Sequence, residues 1–203
     1  MDELERALSA LERGGVIVYP TETLYGLGAD VKSSAALARL GLLKGREAAK
    51  PVSVLVASRA MLDEIVASIS DVAERLIDEL WPGPLTLAFT ARSGVPEMLT
   101  GGSGTIAARI SSHPTARALV ARLGRPLTST SANPAGAAPA LDVEAARRYF
   151  GDEVDAYVDG GRTRGGPAST VVDCSQAVPR LVREGAIPRA AIEAAAGMRL
   201  ARE

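Results

Sequence analysis

Apolar residues recur at helical spacing in some stretches of the chain and at strand spacing in others, and the two patterns alternate along its length. Leu4, Leu8 and Leu11 share one face between Asp2 and Arg13, and Gly14-Gly15 follows as a stop, so the spacing predicts a helix. Val16 to Tyr19 reads as a short buried strand, and Pro20 to Gly28 as an irregular stretch rich in hydroxyls and glycine. Ser33 caps a second predicted helix carrying Leu37, Leu40 and Leu43 and ending near Gly45. Val52 to Ala57 reads as a strand. Ser58 opens a helix with Leu62, Ile65 and Val66, and Ser70 caps another with Val72, Leu76 and Leu80 inward, closed by Trp81-Pro82-Gly83-Pro84. Further strands are predicted at Leu85 to Thr90, Thr105 to Ile110 (after the turn Gly101 to Gly104) and Leu127 to Thr130. Pro114 sits at the first position of a helix through Leu123, and a helix from Val143 to Phe150 stops at Gly151. Strands near Ala156 to Val158, Val171 to Cys174 and Arg180 to Arg183 alternate with turns, and Pro188 begins a terminal helix. Alternating strands and helices without a linker predict one α/β domain over residues 1–203, with a short tail after about residue 197. The uneven strand spacing favours a mixed sheet over a regular doubly wound one.

Composition narrows the function classes. Among 203 residues, 3% are aromatic, so the core must be aliphatic, and a formal net charge of −1 lacks the basic excess of a general nucleic-acid binder. Cys174 is the one cysteine and His113 the one histidine, which removes disulfide frameworks, zinc clusters and Cys-His dyads together. Cys174 lies in an apolar run and reads as a small core residue; His113 reads as ordering the turn before Pro114. The charged amino terminus is not a signal sequence, and no apolar run approaches the roughly 18 residues of a membrane span. The expectation is a cytoplasmic protein.

The candidate chemistry sits at strand ends. Two of the chain's lysines, Lys44 and Lys50, bracket Arg46 just before an apolar strand. Three cations there fit either a solvated helix end that complements the helix dipole or a pocket that an anion fills, and spacing leaves both open. Thr21, Glu22 and Thr23 leave the first strand; Ser129, Thr130, Ser131 and Asn133 follow another; Ser169 and Thr170 enter a late one. Each cluster taken singly reads as a turn or cap, with Glu22 either a general base or, as is usual for a loop carboxylate, simply solvated; together they favour a polyanion site at one sheet edge. The standard phosphate loops fail. A dinucleotide fingerprint starting at Gly26-Leu27-Gly28 needs glycine where Val31 stands.

The string from Val18 to Gly28, Val-Tyr-Pro-Thr-Glu-Thr-Leu-Tyr-Gly-Leu-Gly, resembles the opening signature of the YrdC-like family. It is followed in the family's order by Lys44-Gly-Arg46, Trp81-Pro-Gly-Pro-Leu-Thr86, Ala108-Arg109-Ile110, Ser131-Ala-Asn133, Gly160-Gly161, Ser169-Thr170-Val171-Val172 and Arg183-Glu-Gly185. The resemblance covers nearly the whole chain and is to the short form. It implies a single α/β domain with a twisted mixed β-sheet flanked by helices around a basic cavity. The implied activity is threonylcarbamoyl-AMP synthesis from L-threonine, bicarbonate and ATP with Mg²⁺, releasing pyrophosphate. The product would feed a downstream threonylcarbamoyl transferase complex that modifies tRNA. Carried over residue by residue, the resemblance gives Lys44, Arg46, Lys50, Thr86, Ser131, Asn133 and Arg183 to ATP, with Lys44 and Arg46 as the catalytic cations. It gives Thr21, Arg109 and Ser169 to L-threonine, and no protein metal ligand. Glu47 departs from the family's usual proline, and Leu55 stands where longer members carry a histidine. Two alternatives remain: an RNA-binding member of the family, or a paralogue that acts on another amine.

Overall fold

The computed structural model describes residues 2–45 and 51–201. Helix α1 (Glu3–Glu12) starts where the Asp2 carboxylate accepts the Glu5 amide at 2.7 Å, and it buries Ala7, Leu8 and Leu11. Strand β1 (Val16–Pro20) is buried throughout and pairs antiparallel with β2 (Tyr25–Ala29). That second strand occupies half of the stretch expected to be irregular. Gly26 and Gly28 look like loop residues in the sequence, yet here they make room: a Cβ on Gly28 would stand 2.8 Å from the Tyr19 ring and 3.1 Å from Ile17.

Helix α2 (Ser34–Lys44) is capped by Ser33 and ends at Gly45 in the left-handed conformation, φ 56°. Strand β3 (Val54–Leu55) is shorter than Val52 to Ala57: the Val52 amide goes to the Leu99 carbonyl outside the sheet, while the Val56 amide still meets the Arg109 carbonyl of the neighbouring strand. Helices α3 (Arg59–Asp63) and α4 (Asp71–Leu80) follow, and Ile65 and Val66 are buried just past α3 rather than on it. Next come β4 (Leu85–Thr90), a short α5 (Glu97–Thr100) that periodicity does not predict, β5 (Thr105–Arg109) and α6 (Pro114–Leu123). Strands β6 (Leu127–Thr128) and β7 (Thr130–Ser131), helix α7 (Val143–Phe150), strands β8 (Ala156–Tyr157), β9 (Thr170–Asp173) and β10 (Arg180–Arg183), and helix α8 (Arg189–Ala196) complete the chain.

The described residues form two mixed sheets, in orders β7-β2-β1-β8 and β10-β9-β4-β5-β3-β6, rather than one. The predicted strand Leu127 to Thr130 is where they part. Its first half pairs with β3 in the larger sheet, its second half pairs with β2 in the smaller, and Ser129 makes the crossing. Thr128 ties the two sheets together: its hydroxyl accepts the Ala29 amide at 2.8 Å, and its carbonyl accepts the Tyr19 hydroxyl at 2.9 Å. Burial pushes that phenol up to about 12, so it stays a donor at any pH the protein meets. Tyr19→Phe would leave the Thr128 carbonyl short of that donor, at a cost of about 1–3 kcal/mol. Thermal unfolding should fall by roughly 2–4 °C per kcal/mol, and an unchanged midpoint would show the bond to be dispensable.

One apolar core, aliphatic with Tyr19, Tyr25 and Phe89 fully buried, runs through both sheets. Cys174 is buried in it, its thiol pushed up to about 12 by burial, and so is inert at neutral pH. Among the described residues, no helix is long and apolar enough to cross a membrane.

Candidate active site

The two sheets face each other across a cavity of about 420 Å³, within the usual range for ligand pockets. Register explains why side chains gather there. In the larger sheet β4 runs antiparallel to β5 and parallel to β9, so the start of β4, the end of β5 and the start of β9 share one edge. Thr86, Arg109 and Ser169 occupy those three positions, and Arg183 ends β10 beside them. From the smaller sheet come Thr21 and Thr23 after β1, and Thr130 and Ser131 on β7. Three of the four strand-end clusters singled out from the sequence therefore converge on one space, and no carboxylate among the described residues lines it.

The hydroxyls are held in place. Thr86 Oγ1 donates to Ser169 Oγ at 2.9 Å, and Arg183 Nη2 donates to the Ser169 carbonyl at 2.7 Å, so three neighbouring strands meet at Ser169. Thr21 Oγ1 donates to the Leu24 carbonyl at 2.6 Å and closes the turn that leaves β1. Partial burial of its guanidinium, and then the charge of Arg109, pull Arg183 below its ordinary range. Both effects favour an anion between the two arginines.

Lys44 and Asn133 sit one layer behind this wall. Lys44 is only 3% exposed, and its ammonium donates to the carbonyls of Ser131 at 2.7 Å and Asn133 at 2.5 Å. Asn133 Nδ2 donates to the carbonyls of Pro134 at 2.9 Å and Ala137 at 2.7 Å. Both were expected at the phosphates, and these bonds also tie them to the loop that presents Ser131. Arg46 and Lys50, with Glu47 between them, lie outside the described residues. Leu55 is 1% exposed and takes no part in the cavity wall.

Residues 9–185 match the family model of the Sua5, YciO and YrdC proteins, described as telomere recombination. The chain belongs to the Sua5/YciO/YrdC family. It is 36% identical over 191 residues to the threonylcarbamoyl-AMP synthase of Pyrococcus abyssi, covering 94% of this chain and 56% of that protein. It is 40% identical over 157 residues to the threonylcarbamoyl-AMP synthase of Halorhodospira halophila, covering 77% of this chain and 82% of that one. The chain thus spans little more than half of one relative and most of the other. The crystal structure of P. abyssi Sua5 complexed with L-threonine superposes with a TM-score of 0.93 at 34% identity, over 99% of this chain and 60% of that one.

Within this Sua5/YciO/YrdC fold, three polar groups near the site carry no signal that the sequence reading used. Glu22, read as a solvated carboxylate, forms an ion pair with Arg109 and accepts the Ser111 hydroxyl. Ser53 donates to the Ser129 carbonyl at 2.6 Å and so fixes the crossing between the sheets. Ser53 is the one polar position in the run Val52 to Val56, a signal that was available. Glu22 and Ser111 had none, because the contact joins residues 87 and 89 positions apart.

His113 orders the start of α6 as expected, with Nδ1 accepting the Thr115 amide at 3.3 Å. Burial lowers its pKa from the ordinary 6.5, opposed by the charge of Glu22. The unfolded chain therefore binds the His113 proton more readily than the folded one, and stability is lost as pH falls through 6.5 toward the lower folded value. His113→Asn keeps a capping acceptor that does not titrate. The drop in unfolding temperature between neutral and mildly acid pH should be smaller in this variant than in the parent; equal drops would assign it to other groups.

Proposed function

We propose that this chain is a threonylcarbamoyl-AMP synthase that consumes L-threonine, bicarbonate and ATP and releases pyrophosphate. One observation carries the reading: strand-end hydroxyls and the guanidiniums of Arg109 and Arg183 meet in a cavity that no carboxylate among the described residues lines. A wall of that kind suits a carboxylate at one point and phosphates at another.

The chemistry needs little from the protein except positioning. The threonine amine and bicarbonate give a carbamate with loss of water, a carbamate oxygen attacks the α-phosphorus of ATP, and the bond to the departing pyrophosphate breaks. Negative charge spreads over phosphoryl oxygens and the leaving group, where fixed cations and hydroxyl donors stabilise it without a protein nucleophile. Arg109, Thr21 and Ser169 are assigned to threonine. Thr86, Ser131, Asn133 and Arg183 are assigned to ATP together with Lys44, Arg46 and Lys50, with Lys44 and Arg46 as the catalytic cations. The Thr86–Ser169 hydrogen bond then joins the two subsites, as an enzyme that couples the two substrates requires. Mg²⁺ enters with ATP as part of the substrate. Phosphate oxygens and water would supply most of its ligands. The adenylate leaves as the donor for a transferase complex that acts on tRNA in the cytoplasm.

The product decides the matter. Incubation with ATP, Mg²⁺, L-threonine and isotopically labelled bicarbonate should yield an adenylate containing threonine and the labelled carbon, detected by mass spectrometry. An adenylate without the label contradicts the carbamate route. Equal product from another amine would make the chain a paralogue with a different substrate.

A further inference from the structure

The site's carboxylate is placed in a way that substrate binding alone does not explain. Glu22 lies between Thr21 and Thr23, which both line the cavity, yet it does not line the cavity itself. Its side chain is 16% exposed and pairs with an Arg109 side chain that is 6% exposed. One carboxylate oxygen meets Arg109 Nη1 and the other accepts the Ser111 hydroxyl. Ser111 Oγ in turn accepts the His113 amide at 3.1 Å. Both oxygens of Glu22 are thus occupied. Arg109 itself lines the cavity, and Nη1 is the guanidinium nitrogen that meets Glu22.

We infer that Glu22 is a positioning residue: it holds the Arg109 guanidinium with its free N–H groups presented to the carboxylate of the amino-acid substrate. Three consequences of the geometry support this. An arginine side chain has several rotatable bonds, and an ionic anchor on one nitrogen fixes the plane of the fork, which bidentate carboxylate recognition requires. The anchor also joins the turn after β1 to the end of β5, so the two sheets that form the cavity share the residue that aims Arg109. The carboxylate further offsets one of two neighbouring guanidinium charges, leaving Arg183 as the uncompensated cation of the pair for phosphate.

The inference rests on the synthase reading, and steady-state kinetics of wild type and Glu22→Gln separates the two. Gln keeps the size and an acceptor oxygen and loses the charge. KM for L-threonine should rise roughly ten- to a hundredfold, the cost of a misaimed charge-assisted bond, while KM for ATP stays within about twofold. Thermal unfolding run alongside establishes that the variant is folded. If it is not, Glu22→Asp takes its place, keeping the charge but withdrawing it by one methylene, with the same divergence expected. Equal rises in both KM values, or a threonine KM within about twofold of wild type, would overturn the role of Glu22 while leaving the synthase standing. Absence of threonine-dependent turnover in the wild type would overturn both.

Discussion

Arg109→Ala is expected to damage activity and stability together. With Arg109 in the proposed threonine site, the lost contact is a charge-assisted pair with the substrate carboxylate, worth about 1.5–3 kcal/mol, so kcat/KM for threonine should fall roughly ten- to a hundredfold. The stability loss has a separate origin. Removing the guanidinium strands Glu22, whose side chain is only 16% exposed, with the Ser111 hydroxyl as its remaining partner. Breaking a buried ion pair from one side costs about 3–5 kcal/mol, and the low end applies here because Glu22 retains some access to solvent. The double variant Arg109→Ala with Glu22→Ala removes the stranded charge. It should recover most of the lost unfolding free energy in denaturant titrations and none of the lost activity. A single variant as stable as wild type would show that the pair contributes no net stability.

Gly185→Ala should be nearly as damaging, through the backbone alone. A Cβ at this position would stand 2.2 Å from the Ala168 carbonyl oxygen and 2.7 Å from Ser169 backbone atoms. Those neighbours are main chain, so relief requires the strand entrance carrying Ser169 to shift. The loop is further fixed by Thr170, whose hydroxyl donates to the Ile187 carbonyl at 2.6 Å and accepts the amides of Gly185 at 3.0 Å and Ile187 at 2.9 Å. Overpacking of this kind costs about 1–3 kcal/mol or more, roughly 2–4 °C of unfolding temperature per kcal/mol. Because Ser169 bonds both Thr86 and Arg183, turnover should fall by more than the unfolded fraction explains. Full activity in this variant would mean that the Ser169 corner tolerates displacement.

Local signals were legible in the sequence where a residue and its partner lie within one turn. The caps Ser33, Ser58, Ser70 and His113 all accept the amides that their positions predict. The convergence of strand-end hydroxyls also followed from their placement, because one edge of a mixed sheet collects every strand that starts or ends there. What remained hidden depends on distant partners. Strand β2 was concealed by Gly26 and Gly28, whose reason is the bulk of Tyr19 on the neighbouring strand. The division into two sheets hangs on Ser129, and nothing in Leu127 to Ser131 says which half pairs with β3 and which with β2. Lys44 looks like an exposed helix-end cation until carbonyls 87 and 89 residues downstream receive its ammonium. Glu22 is concealed in the same way.

Of the three cations before β3, Lys44 turns inward to the carbonyls of Ser131 and Asn133. The direct test of the proposed synthase is pyrophosphate release, measured while each substrate is omitted in turn. Release should occur only when ATP, L-threonine and bicarbonate are all present; release that continues at the same rate without threonine would rule the synthase out.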